Sequence, residues 1–350
     1  MSGELYGRRF RLKIKCDSQL NKENEVDVIV VEQNGFDPET VRIEFDINYP
    51  GVKGWYFSEI IVYNLSPEYR NKIYDEGSIV TLEAGYVGEG NMGKIFEGFL
   101  FQTLFEREGV VNYKLTLRCM DGNRIFTEAT MFDASIVQGT NQITKLNDFL
   151  SKNKKSIPLA TGALEEMNSY LEGSEAGGLL RGETVFKSAE SYLTEIFNWR
   201  GLNKKSGYRI YSHFSKIGFA NDSDNNAPPD VANKIVISPS SGLIGTPRQT
   251  MYGCDFTMLL NPKVILKRPA CVIQLEGVGF QQMKAVYGQT PVPTAGLGLN
   301  LEDNSIMEFQ VIGVRHVGDS RGDQWYTYVT GMNLAGATPI EPVMYTRWLK

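Results

Sequence analysis

Histidine is nearly absent from this chain: His213 and His316 are the two among 350 residues. Neither stands in a motif that would aim it at a serine or cysteine nucleophile, so nucleophilic catalysis of the Ser-His-Asp kind has no local support. Cysteine is scarce as well. Cys16, Cys119, Cys254 and Cys271 are far apart and show no CxxC spacing. That excludes the usual zinc and dithiol signatures and leaves buried free thiols as the reading. No run reaches the length of a membrane span, and Met1-Ser2-Gly3-Glu4 opens on no apolar signal core. The expectation is a soluble product of cytoplasmic synthesis. Basic charge is not in excess either. Lys and Arg total 36 against 41 Asp and Glu, a formal net charge of −5. A chain built to grip nucleic acid carries the opposite balance, so non-specific DNA binding is disfavoured and no specific nucleic-acid binding is expected, whereas an acidic wall suits a passage through which DNA slides.

What is abundant is period-two alternation. Phe10-Arg11-Leu12-Lys13-Ile14-Lys15-Cys16 puts apolar side chains on one face and a basic stripe on the other. Val41–Ile47 repeats the pattern, as do Val80/Leu82/Ala84 and Tyr113/Leu115/Leu117/Cys119. Such strands bury one face, the mark of antiparallel barrels and sandwiches. Thirty-five glycines and 11% aromatic residues fit a β-rich chain with many tight turns. Asn64-Leu65-Ser66-Pro67-Glu68 announces a short helix, with Ser66 as cap, Pro67 in the first turn and Glu68 at the positive dipole end. Gly77 is expected to end it. A turn at Gly88-Glu89-Gly90-Asn91 and another at Glu108-Gly109 bracket a long strand through Phe96 and Phe105.

The texture divides the chain in three. Residues 1–130 read as an antiparallel tube-like β-barrel with one inserted helix. Residues 131–240 read as a mixed α/β middle region, with helices over Gln142–Lys152 and Thr184–Arg200, short strands over Tyr208–Phe214 and Lys234–Ser238, and a polar loop from Asn221 to Pro229. In the Thr184–Arg200 helix, Phe186, Ala189, Leu193, Ile196 and Phe197 would share one face. Residues 241–350 return to strands over Met251–Leu260, Ala270–Glu276, Ile306–His316 and Gln324–Asn333, with a Pro/Gly/Thr loop across Gln289–Asn300. The fold class is therefore mainly β with an α+β insertion: two barrels of comparable length flank a mixed region, without sequence identity between them.

Candidate chemistry is thin. His316 with Asp319 and Asp323 has metal-ligand residue types, but acids at a strand edge beside a histidine are commonplace. Glu165-Glu166 is the most visible carboxylate pair for glycosidase chemistry, in a stretch that reads as a solvated helix or loop. Gly85-Tyr86-Val87-Gly88-Glu89-Gly90 follows a strand but leads into no P-loop lysine or GxGxxG turn, so hairpin glycines account for it. Arg321-Gly322-Asp323 spells an adhesion tripeptide inside an ordinary tight turn. Trp55, Trp199, Trp325 and Trp348 are too scattered to form a carbohydrate platform. The basic stripe of Arg9, Arg11, Lys13 and Lys15 is either a solvated strand face, balanced by Glu44 and Asp46 on a paired strand, or a charged subunit interface. No catalytic, cofactor-binding or metal-ligating residue is assigned, no cofactor is expected, and the chain is not read as an enzyme.

A family emerges from the order of several segments. Ile60-Ile61-Val62-Tyr63-Asn64-Leu65-Ser66-Pro67 leads into the short helix; Gly77–Tyr86 and Ile95-Phe96-Glu97-Gly98 follow. This order resembles the N-terminal barrel of tailed-phage baseplate hub proteins, including those called late control protein D. Gly242–Pro247 and Met258–Pro262 are similar to the segments that open that family's second barrel. Val311–Ser320, with Gly322 and Trp325, resembles its closing hairpin. The resemblance covers both β-rich ends, while the middle matches only in general character. It implies a homotrimer whose subunits each give two tube-like barrels, forming a pseudo-sixfold ring between a hexameric tail tube and a trimeric spike. The implied partners are the tail tube protein, the central spike protein, and tape measure and baseplate wedge proteins. The implied location is the virion tail baseplate. Some hub proteins carry lysozyme or peptidase domains; no such appended domain is read here. The competing expectations are a tail-associated cell-wall hydrolase and a receptor- or carbohydrate-binding tail protein.

Overall fold

Alternation decides the local structure almost everywhere. In β1 (Arg8–Cys16) the side chains of Phe10, Leu12, Ile14 and Cys16 are buried while Arg11, Lys13 and Lys15 stay outside. The computed structural model describes residues 7–16, 27–35, 40–49, 56–73, 78–88, 90–121, 131–138, 142–152, 163, 183–188, 191–192, 208–214, 216–221, 230–250, 253–266, 271–278 and 307–333. After β1 come β2 (Asp27–Asn34), β3 (Ile43–Tyr49), β4 (Tyr56–Tyr63), the helix α1 (Pro67–Lys72), β5 (Ile79–Tyr86), β6 (Met92–Glu108) and β7 (Asn112–Asp121). The middle holds β8 (Met131–Ile136), α2 (Gln142–Lys152), β9 (Glu183–Ser188), β10 (Tyr208–His213) and β11 (Lys216–Asn221). The chain then runs through β12 (Asp230–Ile237), β13 (Leu243–Gln249), β14 (Gly253–Leu259), β15 (Cys271–Leu275), β16 (Met307–Asp319) and β17 (Trp325–Asn333). The fold is mainly β and mainly antiparallel, as the alternation requires.

Two compact units result. The first comprises Met1–Val52, Tyr56–Met120 and Ala227–Lys350; the second comprises Lys53–Trp55 and Asp121–Asn226. The first unit is built on a thirteen-stranded sheet in the order β13-β14-β17-β16-β3-β4-β7-β6-β5-β1-β2, with β15 also on β16 and β12 parallel to β15. Both β-rich ends thus share one ladder, and Asp230–Ile237 joins it from the end of the expected middle region. Its core includes Trp325, Phe10, Phe96, Phe309, Leu12 and Ile43, all fully buried. All four cysteines are free and buried. Burial pushes the Cys119 and Cys254 thiols well above their ordinary range, so they pack as small apolar groups.

Helix α1 has the written start: Ser66 Oγ accepts the Tyr69 amide at 3.4 Å and Pro67 opens the first turn. It ends earlier than expected, at Lys72 with Ile73 as cap; Gly77 lies outside the described residues.

In the second unit β8 pairs with β9, β10 pairs with β11, and α2 spans the expected Gln142–Lys152. The helix expected from Thr184 is corrected in its first turn. Residues 183–188 form a strand in which Val185 is buried while Thr184 and Phe186 face solvent. β-Branched Thr184 and Val185 favour the pleat, and the β8 pairing overrides the helical period. Ser188 then turns the chain, its Oγ accepting the Ser191 amide at 3.2 Å as a helix cap does, and Ser191–Tyr192 are helical. The remaining helix positions, the Asp222–Pro229 part of the polar loop, Glu165-Glu166, the Gln289–Asn300 loop and Trp55, Trp199 and Trp348 lie outside the described residues.

Candidate functional site: a strand seam and its open counterpart

The most worked place in the first unit is the seam where β3 meets β16. Six residues pair antiparallel, from Val314 opposite Tyr49 to Asp319 opposite Glu44. The ladder continues one step further: the Ser320 amide donates to the Ile43 carbonyl at 2.9 Å, and the Ile43 amide donates to Ser320 Oγ at 3.0 Å. On the polar face Arg315 grips Asp46 through two bonds of 2.8 and 2.6 Å. Arg42 grips Asp319 through two more, at 3.1 and 2.7 Å, and also reaches Glu44. Planar guanidinium–carboxylate forks fix orientation as well as proximity, so the two clasps set the register of this join. Burial pushes the Asp319 carboxyl up, but bonds from Arg42 and from the Arg321 and Gly322 amides outweigh it and hold it below the usual range. Tyr63 donates to Glu44 at 2.9 Å beneath Arg42; burial and that bond raise its phenol to about 12.

The inner face of the seam is apolar. Phe45 meets Trp325 edge to face at 5.2 Å, and the Trp325 indole N–H donates to the Gly85 carbonyl at 3.1 Å. Gly318 lies beneath both rings; a Cβ there would overlap Phe45, and only glycine permits the approach. Arg8 lies 5.6 Å over the Trp325 ring and donates to the backbone carbonyls of Asp319, Gly322 and Asp323.

These contacts dispose of several sequence candidates. His316 and Asp319 are an odd number of positions apart on one strand and face opposite ways. His316 is completely buried, its Nδ1 2.9 Å from Thr327 Oγ1, which also accepts the Asn261 amide at 3.0 Å. Burial drives its pKa down to about 3, so the ring is neutral. Asp319 is taken by Arg42, and Asp323 offers its backbone carbonyl to Arg8. Among the described residues no group of His, Cys, Asp or Glu could hold a metal. His213 ends β10 in the second unit, opposite Lys216. The Arg321-Gly322-Asp323 turn is pinned by Arg8 and by Arg321, which donates to the Thr40 carbonyl. Gly88 and Gly90 take positive φ in the β5–β6 hairpin, the turn expected of them.

The basic stripe is balanced, but by other partners than expected. In the sheet order β3 is separated from β1 by β4, β7, β6 and β5, so Glu44 and Asp46 face Arg42, Tyr63 and Arg315 instead. Arg11 stands directly opposite Glu32 on β2 and Glu83 on β5. It bonds Glu32 at 2.9 and 2.8 Å, while Arg9 also leans on Glu32 and Lys13 on Glu83. Arg11 holds the Glu32 carboxyl below the usual range. Two carboxylates thus serve three of the four cations of the stripe, an arrangement that fits a solvated strand face.

Sequence reasoning missed the seam residues Arg8, Arg42 and Arg315. Their signal was faint: Arg42 and Arg315 are single arginines within alternating strands.

The seam has a topological twin. The order β5-β6-β7-β4-β3 in the first half is repeated as β15-β16-β17-β14-β13 in the second. Both long strands carry a bulge against the following strand, between Leu100 and Gln102 in β6 and between Val311 and Gly313 in β16. Before the bulge each pairs with the preceding strand, β5 or β15. After it β16 takes up β3. Among the described residues, the β6 stretch from Thr103 to Glu108 has no strand on that flank, and the twin of β3, which is β13, ends the sheet with its outer edge unpaired.

No family model matches this sequence, and no curated protein matches it. Solved structures are similar at low identity. A tail protein from Neisseria meningitidis MC58 shares 10% identity over 94% of this chain and 97% of its own, with a TM-score of 0.48. The 43 kDa tail protein of prophage MuSo2 from Shewanella oneidensis shares 7% over 94% and 98%, at 0.47. A Francisella PdpA-VgrG complex in its lidded form shares 11% over 96% of this chain and 54% of that chain, at 0.49.

Proposed function

We propose that this chain is a structural hub of a phage tail baseplate, or of a related contractile injection device. Three copies, each giving two tube-like modules, form a ring of six. The ring adapts a hexameric tail tube on one side to a trimeric spike on the other and lines the passage for DNA. The observation that carries the reading is the repeated strand order, with the two repeats locked side by side through β3 and β16. A symmetry adaptor requires two modules alike enough to occupy equivalent positions and tied rigidly within one chain. The collinear motifs of the two β-rich ends support the same reading, and the net charge of −5 suits a wall that DNA passes without sticking.

The proposal assigns the chain no catalysis; its partners are further copies of itself, the tail tube, the spike, and tape measure and wedge proteins, within the virion tail. Negative-stain class averages of the full-length chain at high concentration test it. A hollow ring with threefold symmetry and six lobes is expected. Turnover of peptidoglycan by a monodisperse monomer would overturn it in favour of a hydrolase.

A further inference from the structure

The basic stripe of β1 is balanced at one end and bare at the other. Arg9 and Arg11 share Glu32, and Arg11 also reaches Glu83. Lys13 touches only the second oxygen of Glu83, at 4.0 Å, and exposed Lys15 makes no ion pair among the described residues. The strand beside these two lysines is open. β2 pairs with β1 without a register shift, Lys15 opposite Val28 and Lys13 opposite Val30. It ends the sheet, and its other edge has no strand among the described residues. We propose that this edge of β2 (Asp27–Asn34) takes up a strand from a partner protein, an extended segment that alternates apolar and acidic residues and turns its acids toward Lys13 and Lys15.

Two other edges of this sheet are blunted. β13 is bulged against β14 between Ile244 and Arg248, and its Pro247 has no amide to give. β12 shifts register between Asp230 and Ile235 and carries exposed Lys234. β2 has none of these devices. Val28-Ile29-Val30-Val31 is a β-branched run without proline, glycine or bulge, and a regular edge of that kind is a template for another strand. Main-chain bonds along such an edge give affinity, and alternate side chains give specificity. The two faces of β2 state what those side chains are. Ile29 and Val31 are buried on the core face, so an added strand is apolar on that side. On the other face Val30 is half exposed, and Lys13 and Lys15 stand next to it, with half-buried Ile79 and Thr81 beyond. A carboxylate on the added strand starts about 10 Å from β1, within the combined reach of a lysine and a glutamate. Apolar beneath and acidic above is a period-two pattern with both classes assigned.

A second copy suits this edge less well. Antiparallel pairing of β2 with β2 about a two-fold axis sets both basic stripes on one face, with like charge on either side of the join and each Glu32 already spent on arginines. A nucleic acid offers phosphates to the lysines but no amides to the strand edge. One strand's width of contact held by two exposed lysines is modest in strength and weakens with salt. The site lies within one chain and stands apart from the hub reading.

Fluorescence anisotropy of the full-length chain with a short fluorescein-labelled peptide alternating valine and glutamate tests the site, beside hydrogen exchange of the same mixture read by mass spectrometry. Binding is expected, with added protection of the backbone amides over Asp27–Asn34. Lys13→Glu combined with Lys15→Glu should weaken binding by about tenfold. Lys72→Glu combined with Lys152→Glu, an equal change of net charge placed on the two helices, should leave it unchanged. The exchange experiment uses unmutated protein, so a folding defect in a variant does not blunt the test. No binding by the wild type, or binding that leaves the β2 amides exchanging as before, overturns the strand addition. Equal binding of a peptide with the same valines and glutamates in two blocks, or of an oligothymidylate of equal charge, also overturns it and reduces the stripe to general attraction for anions. Each of these results reads a single chain and leaves the hub reading to its own test.

Discussion

Acidification should strike this protein at His316. The ring is fully buried opposite Thr327, and burial lowers its pKa from 6.5 to about 3. The folded state therefore binds this proton far less readily than the unfolded chain. Above pH 6.5 the ring is neutral in both states and contributes no pH dependence. As pH falls below 6.5 the unfolded state takes up the proton first and folding stability drops by about 1.4 kcal/mol per pH unit, levelling off near pH 3. At pH 5 the loss is about 2 kcal/mol, and the full loss is about 5 kcal/mol. Urea unfolding followed by tryptophan fluorescence, at pH 7 and pH 5, on wild type and His316→Gln measures it. His316→Gln loses packing at both pH values, so the informative quantity is the difference between the two drops. Contributions common to both proteins cancel in that difference. Wild type should fall about 2 kcal/mol further than the variant between pH 7 and pH 5. Equal falls, or an imidazole resonance for His316 titrating near 6.5, would refute the argument.

Two further experiments probe the seam that holds the repeats together. Gly318→Ala forces a methyl group against Phe45 and Trp325; a loss of about 1–3 kcal/mol is expected, and an unchanged melting temperature would show that the rings yield freely. A double-mutant cycle on Asp46→Ala and Arg315→Ala should give a coupling of up to about 1 kcal/mol, since both side chains remain partly exposed, and it should shrink as salt is added. No coupling at low salt would mean that the clasp follows the register instead of setting it.

Local periodicity needs no partner to be legible. Phe10, Leu12 and Ile14 alternate with Arg11, Lys13 and Lys15, and that pattern alone requires a strand with one buried face. The same logic read β5, β7, β16 and β17 from residues, and capping chemistry read the start of α1 at Ser66. It failed at residues 184–188, where an apolar pattern compatible with a helix is overridden by pairing with β8.

What the tertiary structure alone decided is which strand lies beside which. Period two says that Arg11 faces solvent and that Asp46 does too, but not that five strand steps separate β1 from β3. The charge partners in the sequence reading were wrong for that reason: Arg11 belongs to Glu32 and Glu83, and Asp46 belongs to Arg315, more than two hundred and fifty residues away. The repeat was legible in the residues only as two β-rich ends of comparable length and turn chemistry. The two halves share no sequence identity, because the strand order that defines the repeat is kept by alternation and turn length, which many residues satisfy. Alternation is a property of neighbours in the chain. The seam, its clasps and its unpaired twin are properties of neighbours in space.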